Sequence, residues 1–235
     1  MNKLSEYNIG IIAAMENEFN IIYENMKSTE SEKVFDTKYY IGRINNIDVV
    51  LVKSGIGKVN AASATTTLID HFGCNLIINS GIAGGIKPVK TRDLVIASSL
   101  VYNDFDITNF GYEYGQVPGM PKLFLANPNL LICFKQLLNK LNIKYLEGII
   151  ASGDKFARSM DIIKDNKGLN ILAVDMESAA VAQVATKAGV DFMIIRFISD
   201  IIGEESQIEF YDKFEEEMAS SSAKITLSLI ESLEI

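Results

Sequence analysis

The stretch Ile171–Ala182, ILAVDMESAAVA, changes character halfway along. Its first half is apolar and β-prone, its second half is Ala-rich and helix-prone, and the change falls at Asp175-Met176-Glu177. An apolar run that gives way to helical periodicity at an acidic residue predicts a strand end feeding a helix N-terminus. Glu177 then falls in the first helical turn, where the helix dipole favours a carboxylate. In open α/β sheets, ligands bind in the crevice beyond the carboxyl ends of the strands. Read alone, Asp175 and Glu177 are ordinary helix-start acids, and a site needs companions from other strand ends.

The chain around this stretch alternates in the same way. Asn8–Ala14 reads as a buried strand followed by a helix over Glu16–Met26. Ser28–Lys38 is polar and turn-like, and Tyr39–Ile44 and Ile47–Val52 form a hairpin across Asn45-Asn46, a pair that tolerates positive φ. Asn60–Phe72 is helical up to Gly73, and Leu76–Asn79 is a short strand ending in the glycine run Gly81–Gly85. Asp93–Ala97 and Leu100–Tyr102 continue the sheet. Asn129–Leu141 is an amphipathic helix, Tyr145–Ser152 a strand, Phe192–Ile198 a strand ending in Ser199-Asp200, and Tyr211–Leu233 a closing helix with an acidic outer face. Asn103–Pro121 is long, irregular and rich in Gly, Tyr and Pro, which inside a compact domain marks a functional or interface segment. The pattern predicts one α/β domain over residues 1–235 around a mixed sheet.

Bulk properties narrow the function. A net charge of −8 argues against nucleic-acid or anionic-membrane partners, which select for clustered Lys and Arg. No run approaches the about 20 apolar residues of a membrane span, and Phe192–Ile202 is interrupted by Arg196 and Asp200. The start, MNKLSEYNIGIIAAM, lacks the apolar core and cleavage site of a secretory signal, so a cytoplasmic location is expected. Cys74 and Cys133 lie far apart and read as reduced, buried thiols. His71 has no His or Cys at ligand spacing, so neither a metal nor a cofactor is expected.

Four predicted strand ends offer polar or glycine-rich groups to one crevice: Met15-Glu16-Asn17-Glu18, Gly81–Gly85, Met176-Glu177 and Ser199-Asp200. Glycine loops after strands can bring backbone N–H groups close to a ligand. GIAGG is neither GxGxxG nor a Walker loop, and Lys53–Lys58 lacks P-loop spacing, so each glycine cluster alone reads as a tight turn.

Seven segments together carry a family resemblance: GIIAAMENE (Gly10–Glu18), KSGIGKVNAA (Lys53–Ala62), NSGIAGG (Asn79–Gly85), DITNFGYEYGQVPG (Asp106–Gly119), SGDKF (Ser152–Phe156), VDMES (Val174–Ser178) and RFISD (Arg196–Asp200). Through nearly its whole length the chain resembles the 5′-methylthioadenosine/S-adenosylhomocysteine nucleosidases, of the purine nucleoside phosphorylase-like fold. The resemblance implies a three-layer α/β domain, a central mixed β-sheet flanked by helices, and hydrolysis of an adenine–ribose bond without a cofactor. Breaking that bond leaves negative charge on the purine and positive charge on the ribosyl carbon. The enzyme must protonate the base, stabilise the cationic sugar and deliver water.

By the resemblance, Asp200 is the acid serving adenine N7, oriented by Ser199; a donating carboxyl must hold its proton near neutral pH. Glu177 holds the ribose hydroxyls, and Glu18 positions and deprotonates the water. Arg196 matches an arginine near water and ribose; a buried ion pair is its ordinary alternative. Phe156 packs on adenine, with main-chain groups of Phe156 and Ala157 reading the base edge. Met15, Ile56, Asp175 and Met176, with Ile82, Ala83 and Gly84 of the glycine run, line the substrate region. Ile107, Phe110, Tyr112 and Pro118 resemble residues lent across a homodimer interface to cover the 5′-thio group. That segment is too aromatic to sit well in water.

Three departures stand out. Ile82 replaces a common Ser or Thr whose hydroxyl serves the water or ribose, so loop backbone or another group must serve instead. Ala157 is smaller than usual beside Phe156, and Asp175 shortens a common Glu. The alternatives are a phosphorylase or futalosine-type hydrolase of the same fold, or a catalytically weak nucleoside-binding protein. Phosphorolysis needs an anion site of several cationic groups, and Glu18 stands where phosphate would be repelled.

Overall fold

The computed structural model describes residues 8–232. The first seven residues, part of the segment read against a leader, and Leu233 lie outside them. Ten strands form one mixed sheet: β1 (Ile9–Ala13), β2 (Lys27–Val34), β3 (Thr37–Ile44), β4 (Ile47–Lys53), β5 (Leu76–Gly85), β6 (Leu94–Tyr102), β7 (Phe124–Leu125), β8 (Leu146–Ser152), β9 (Ile171–Asp175) and β10 (Asp191–Ile201). The five helices are α1 (Glu16–Glu24), α2 (Lys58–Asp70), α3 (Pro128–Lys140), α4 (Ser178–Ala188) and α5 (Gln207–Ser232).

The spatial order is β10-β6-β8-β9-β5-β1-β4-β3-β2, with β7 on β6 and a second pairing of β10 to β5. The path β10-β6-β8-β9-β5 therefore closes on itself, while β1, β4, β3 and β2 extend as an open wing. β1 pairs in parallel with β4 and β5 and contacts both α1 and α2, and all five of its residues are buried. That double burial explains an uninterrupted apolar IGIIA where a half-exposed strand would alternate. α2 and α4 pack on each other, as do α1 and α5, and both pairs contact β1, β5 and β10. Among the described residues no helix is long and apolar enough to cross a membrane.

Several expectations need correction. Ser28–Lys38 is a strand followed by a two-residue turn at Phe35-Asp36, not an extended turn; β2 is an edge strand exposed along nearly all its length, so nothing selects apolar residues there. The Asn45-Asn46 hairpin forms, with Asn45 at φ 52°. Cys133 is exposed on α3, whereas Cys74 is buried and its thiol is pushed up to about 12 by desolvation.

The glycine run is not a turn. β5 continues through Gly81–Gly85, pairing β10 across Leu76–Gly85 and β9 at Gly84 and Gly85. A Cβ on Gly81 would stand 2.7 Å from Glu18 Oε1, and one on Gly84 would stand 3.0 Å from Ile202. These glycines let the strand be approached closely, a use of small size. β10 likewise runs on through Ser199-Asp200 to Ile201, and its register against β5 shifts between Ile198 and Asp200. Ser199 is the extra residue of a bulge, a device that re-aims neighbouring side chains.

Candidate active site

Glu18 is the third residue of α1 and carries the helix start. Its Oε2 accepts the N–H groups of Ala14 at 2.8 Å and Met15 at 3.0 Å, the carboxylate half of a capping box. Its Oε1 accepts the Ile82 N–H at 3.2 Å, so the backbone of the glycine run engages the carboxylate directly. Only 2% of Glu18 is exposed, which excludes the solvated acid of an ordinary first turn. Burial raises its pKa, opposed by the Arg196 charge and by the three backbone donors. Glu16, by contrast, is exposed and pairs with Lys53.

Glu177 stands at the N-cap position of α4 rather than in its first turn, and its side chain makes no capping hydrogen bond. Its Oε1 accepts the Gly57 N–H at 2.8 Å, tying it to the loop before α2. Burial first, and the Asp175 charge next, push its pKa up to about 7. Asp200 follows the β10 bulge; Ser199 Oγ lies 2.6 Å from its Oδ1, and Gln207 Nε2 donates to its Oδ2 at 2.7 Å. Burial raises its pKa as well, against those two hydrogen bonds.

The three carboxyl groups line one cleft. Met15, Ile56, Ile82, Ala83, Gly84, Phe156, Ala157, Asp175, Met176 and Ser199 line it with them. Phe156 is half-exposed and meets Tyr211 edge-on, ring centroids 5.4 Å apart.

Arg196 does not line the cleft. Its Nε donates to Asp175 Oδ2 at 2.9 Å, its Nη1 to the carbonyls of Asn79 and Ile195, and its Nη2 to Asn79 Oδ1 and Ser178 Oγ. All five guanidinium donors are consumed by protein. Arg196 forms a buried ion pair with Asp175, the ordinary reading of such a residue, and from there its charge lowers the pKa of Glu18 and Glu177. Asp175 is the other half of that pair and also accepts the Ser152 hydroxyl at 2.5 Å.

Ile107, Phe110, Tyr112 and Pro118 do not reach this cleft. They lie in the segment between β6 and β7, with Phe110 80% exposed. Sequence reasoning missed Gln207, Tyr211 and Lys155, which do line it. Gln207, Tyr211, Met218 and Ser222 recur at helical spacing, and that stripe could have revealed the inward face of α5. Among the described residues no group of three or more His, Cys, Asp or Glu could hold a metal ion.

The sequence profile of the phosphorylase superfamily matches residues 8–231. The 5′-methylthioadenosine/S-adenosylhomocysteine nucleosidase of Geobacillus kaustophilus is 42% identical over 224 residues, 94% of this chain and 95% of that protein. The chain belongs to this nucleosidase family of the phosphorylase superfamily. The family fold extends to solved structures. The S-adenosylhomocysteine nucleosidase of Streptococcus pyogenes, in complex with 5-methylthiotubericidin, superposes with a TM-score of 0.92 at 37% identity, covering 100% of this chain and 99% of that one. The futalosine hydrolase of Helicobacter pylori superposes with a TM-score of 0.89 at 32% identity, covering 96% and 98%. The family's three-layer α/β architecture, a mixed sheet flanked by helices, is the one described above.

Proposed function

We propose that this member of the nucleosidase family hydrolyses the N-glycosidic bond of 5′-methylthioadenosine and S-adenosylhomocysteine, releasing adenine and the thioribose product, with 5′-deoxyadenosine as a further substrate to test. The observation that carries the proposal is the meeting of Glu18, Glu177 and Asp200, remote in the chain, around one cleft in which burial raises the pKa of each.

The roles follow from what each carboxyl can do. Asp200, its proton held by burial, protonates the departing adenine at N7, and Ser199 orients it. Glu177 accepts hydrogen bonds from the ribose hydroxyls, and in its ionised form it favours positive charge on the ribosyl carbon. Glu18, held by three backbone donors, takes the proton of the attacking water. Phe156 offers a ring face to the base while main-chain groups of Phe156 and Ala157 read its edge. Met15, Ile56, Ile82, Ala83, Gly84 and Met176 surround the sugar and alkylthio group.

Lys155 is the one cationic side chain among the residues lining the cleft. A phosphate nucleophile would want several, so water is the better-supported nucleophile. Incubation with 5′-methylthioadenosine in phosphate-free buffer is expected to release adenine and methylthioribose. A requirement for phosphate would make the chain a phosphorylase, and no release would make it a binding protein. The chain also shares its fold with a futalosine hydrolase; faster cleavage of futalosine than of 5′-methylthioadenosine in the same assay would replace the substrate proposed here.

Glu177 works only when ionised, and its pKa is pushed up to about 7. The expected profile of kcat/KM therefore declines below about pH 7, approaching tenfold per unit. A second, descending limb is expected where Asp200 loses its proton, a step that burial moves upward from the ordinary carboxylate range. A profile flat down to pH 5 would remove the charge role from Glu177.

The exposed aromatic segment supports a homodimer in which Ile107, Phe110, Tyr112 and Pro118 of each protomer cover the partner's 5′-thio region. Phe110→Asp is expected to shift the protein toward monomer in sedimentation experiments and to raise KM for 5′-methylthioadenosine. A variant that remains dimeric with the parental KM would refute the assignment.

A further inference from the structure

Gln207 opens α5, is 5% exposed and faces the cleft. Its Nε2 lies 2.7 Å from Asp200 Oδ2 and 2.6 Å from the Ala157 carbonyl oxygen, so both amide hydrogens are used. Its Oε1 accepts the Gly203 N–H at 3.1 Å. The carboxamide is thus fixed at both ends, and its orientation follows from its partners, since an amide nitrogen can only donate to a carboxyl and a carbonyl oxygen.

That one-way donation constrains Asp200. With Gln207 donating to Oδ2, this oxygen acts as an acceptor, and a proton on the neutral acid belongs on Oδ1. Oδ1 lies 2.6 Å from Ser199 Oγ, and a hydroxyl can accept as well as donate. Ser199 Oγ in turn lies 3.3 Å from the Ala83 carbonyl oxygen. The neutral acid therefore completes a directed chain: Asp200 Oδ1–H to Ser199 Oγ, and Ser199 Oγ–H to Ala83 O. When the proton leaves, the hydroxyl turns and donates to Oδ1, leaving a carboxylate with a donor on each oxygen.

We propose that Gln207 is a positioning residue for the leaving-group acid: by donating to Oδ2 it confines the transferable proton of Asp200 to Oδ1 and fixes the carboxyl plane. In the step it serves, the Oδ1–H turns from Ser199 Oγ to the bound base; the Oδ1–H bond then breaks and an N–H bond forms on the base. The glycosidic electron pair leaves with the base, and Asp200 becomes a carboxylate. The inference rests on Asp200 being the acid of the proposed reaction.

The test compares two substrates that differ in their need for an acid. 5′-Methylthioadenosine needs its base protonated, whereas a p-nitrophenyl 5-methylthioriboside departs as a stable phenolate. Gln207→Leu, close in shape but without the donor, is expected to lower kcat on the nucleoside about 10- to 100-fold while KM moves little. Turnover of the nitrophenyl riboside should fall no more than about threefold, because no proton is required. Should the Leu variant fold poorly, Gln207→Met keeps the length without the donor, and it should show the same selective loss.

Equal losses on both substrates would overturn the proposal in favour of a merely structural role. An undiminished kcat with a lower KM would overturn it too, marking the carboxamide as a filler that the base displaces. Asp200→Asn on the same pair separates the two levels of argument. If that variant retains nucleoside turnover, the acid assignment itself fails; if it loses turnover while Gln207→Leu does not, only the role of Gln207 fails.

Discussion

Asp200→Asn is expected to lower kcat for 5′-methylthioadenosine by about 10²- to 10⁴-fold, the span usually lost with a general acid. The substitution preserves size and the hydrogen bonds available to Ser199 but removes the transferable proton. Binding should be largely retained, because Phe156 and the backbone at Ala157 are untouched. Adenine then leaves as an unprotonated anion, a poor leaving group, and the barrier rises at the step of bond cleavage. Adenine release in single-turnover mixing, beside substrate affinity by equilibrium titration, separates chemistry from binding. A variant with the parental rate would show that the base leaves without help from this carboxyl.

The second large effect concerns stability. Arg196→Met is expected to cost about 3–5 kcal/mol, the usual consequence of stranding one member of a buried pair. The lost groups are specific. Asp175 loses its cation, and Asn79 and Ser178 lose the guanidinium donors that hold β5, β10 and the start of α4 together. Urea unfolding of Arg196→Met, Asp175→Asn and the double variant should show strong non-additivity, since either single change already breaks the pair. A cost under about 1 kcal/mol for the single Arg196 change would mean that the interior reorganises around the gap, as some buried pairs permit. Removing Arg196 also withdraws the charge that lowers the pKa of Glu18 and Glu177, so the acidic limb of the rate profile should move to higher pH.

The two variants probe different layers of one design. Asp200 reaches the cleft and changes the chemistry directly. Arg196 lies beneath it and acts through charge and through the fold. The seven family segments carry both residues in one short motif, RFISD, and nothing in the motif separates the layers. Only the count of donors does. A guanidinium with five protein partners has none left for a ligand.

Much of the architecture was legible in the residues. β1, the Asn45-Asn46 hairpin, α2 to α4 and the strand-to-helix change at Asp175-Glu177 follow from apolar period, turn chemistry and glycine stops. These patterns record the burial of each side chain, and burial is what the choice of residue encodes most directly. Tertiary structure decided the rest. β2 is a strand only because β3 pairs with its backbone, and an edge exposed on both faces leaves no apolar mark. β5 and β10 pass through Gly81–Gly85 and Ser199-Asp200 because they pair with each other there, and the bulge at Ser199 exists only as a mismatch between two strands. Gln207 meets Asp200 through the packing of α5 against β10. Composition and spacing thus determined most of the elements and which acids were available. Register, bulge and donor count, being properties of pairs rather than of single residues, decided which of those acids share a cleft and which of them is held in an ion pair with Arg196.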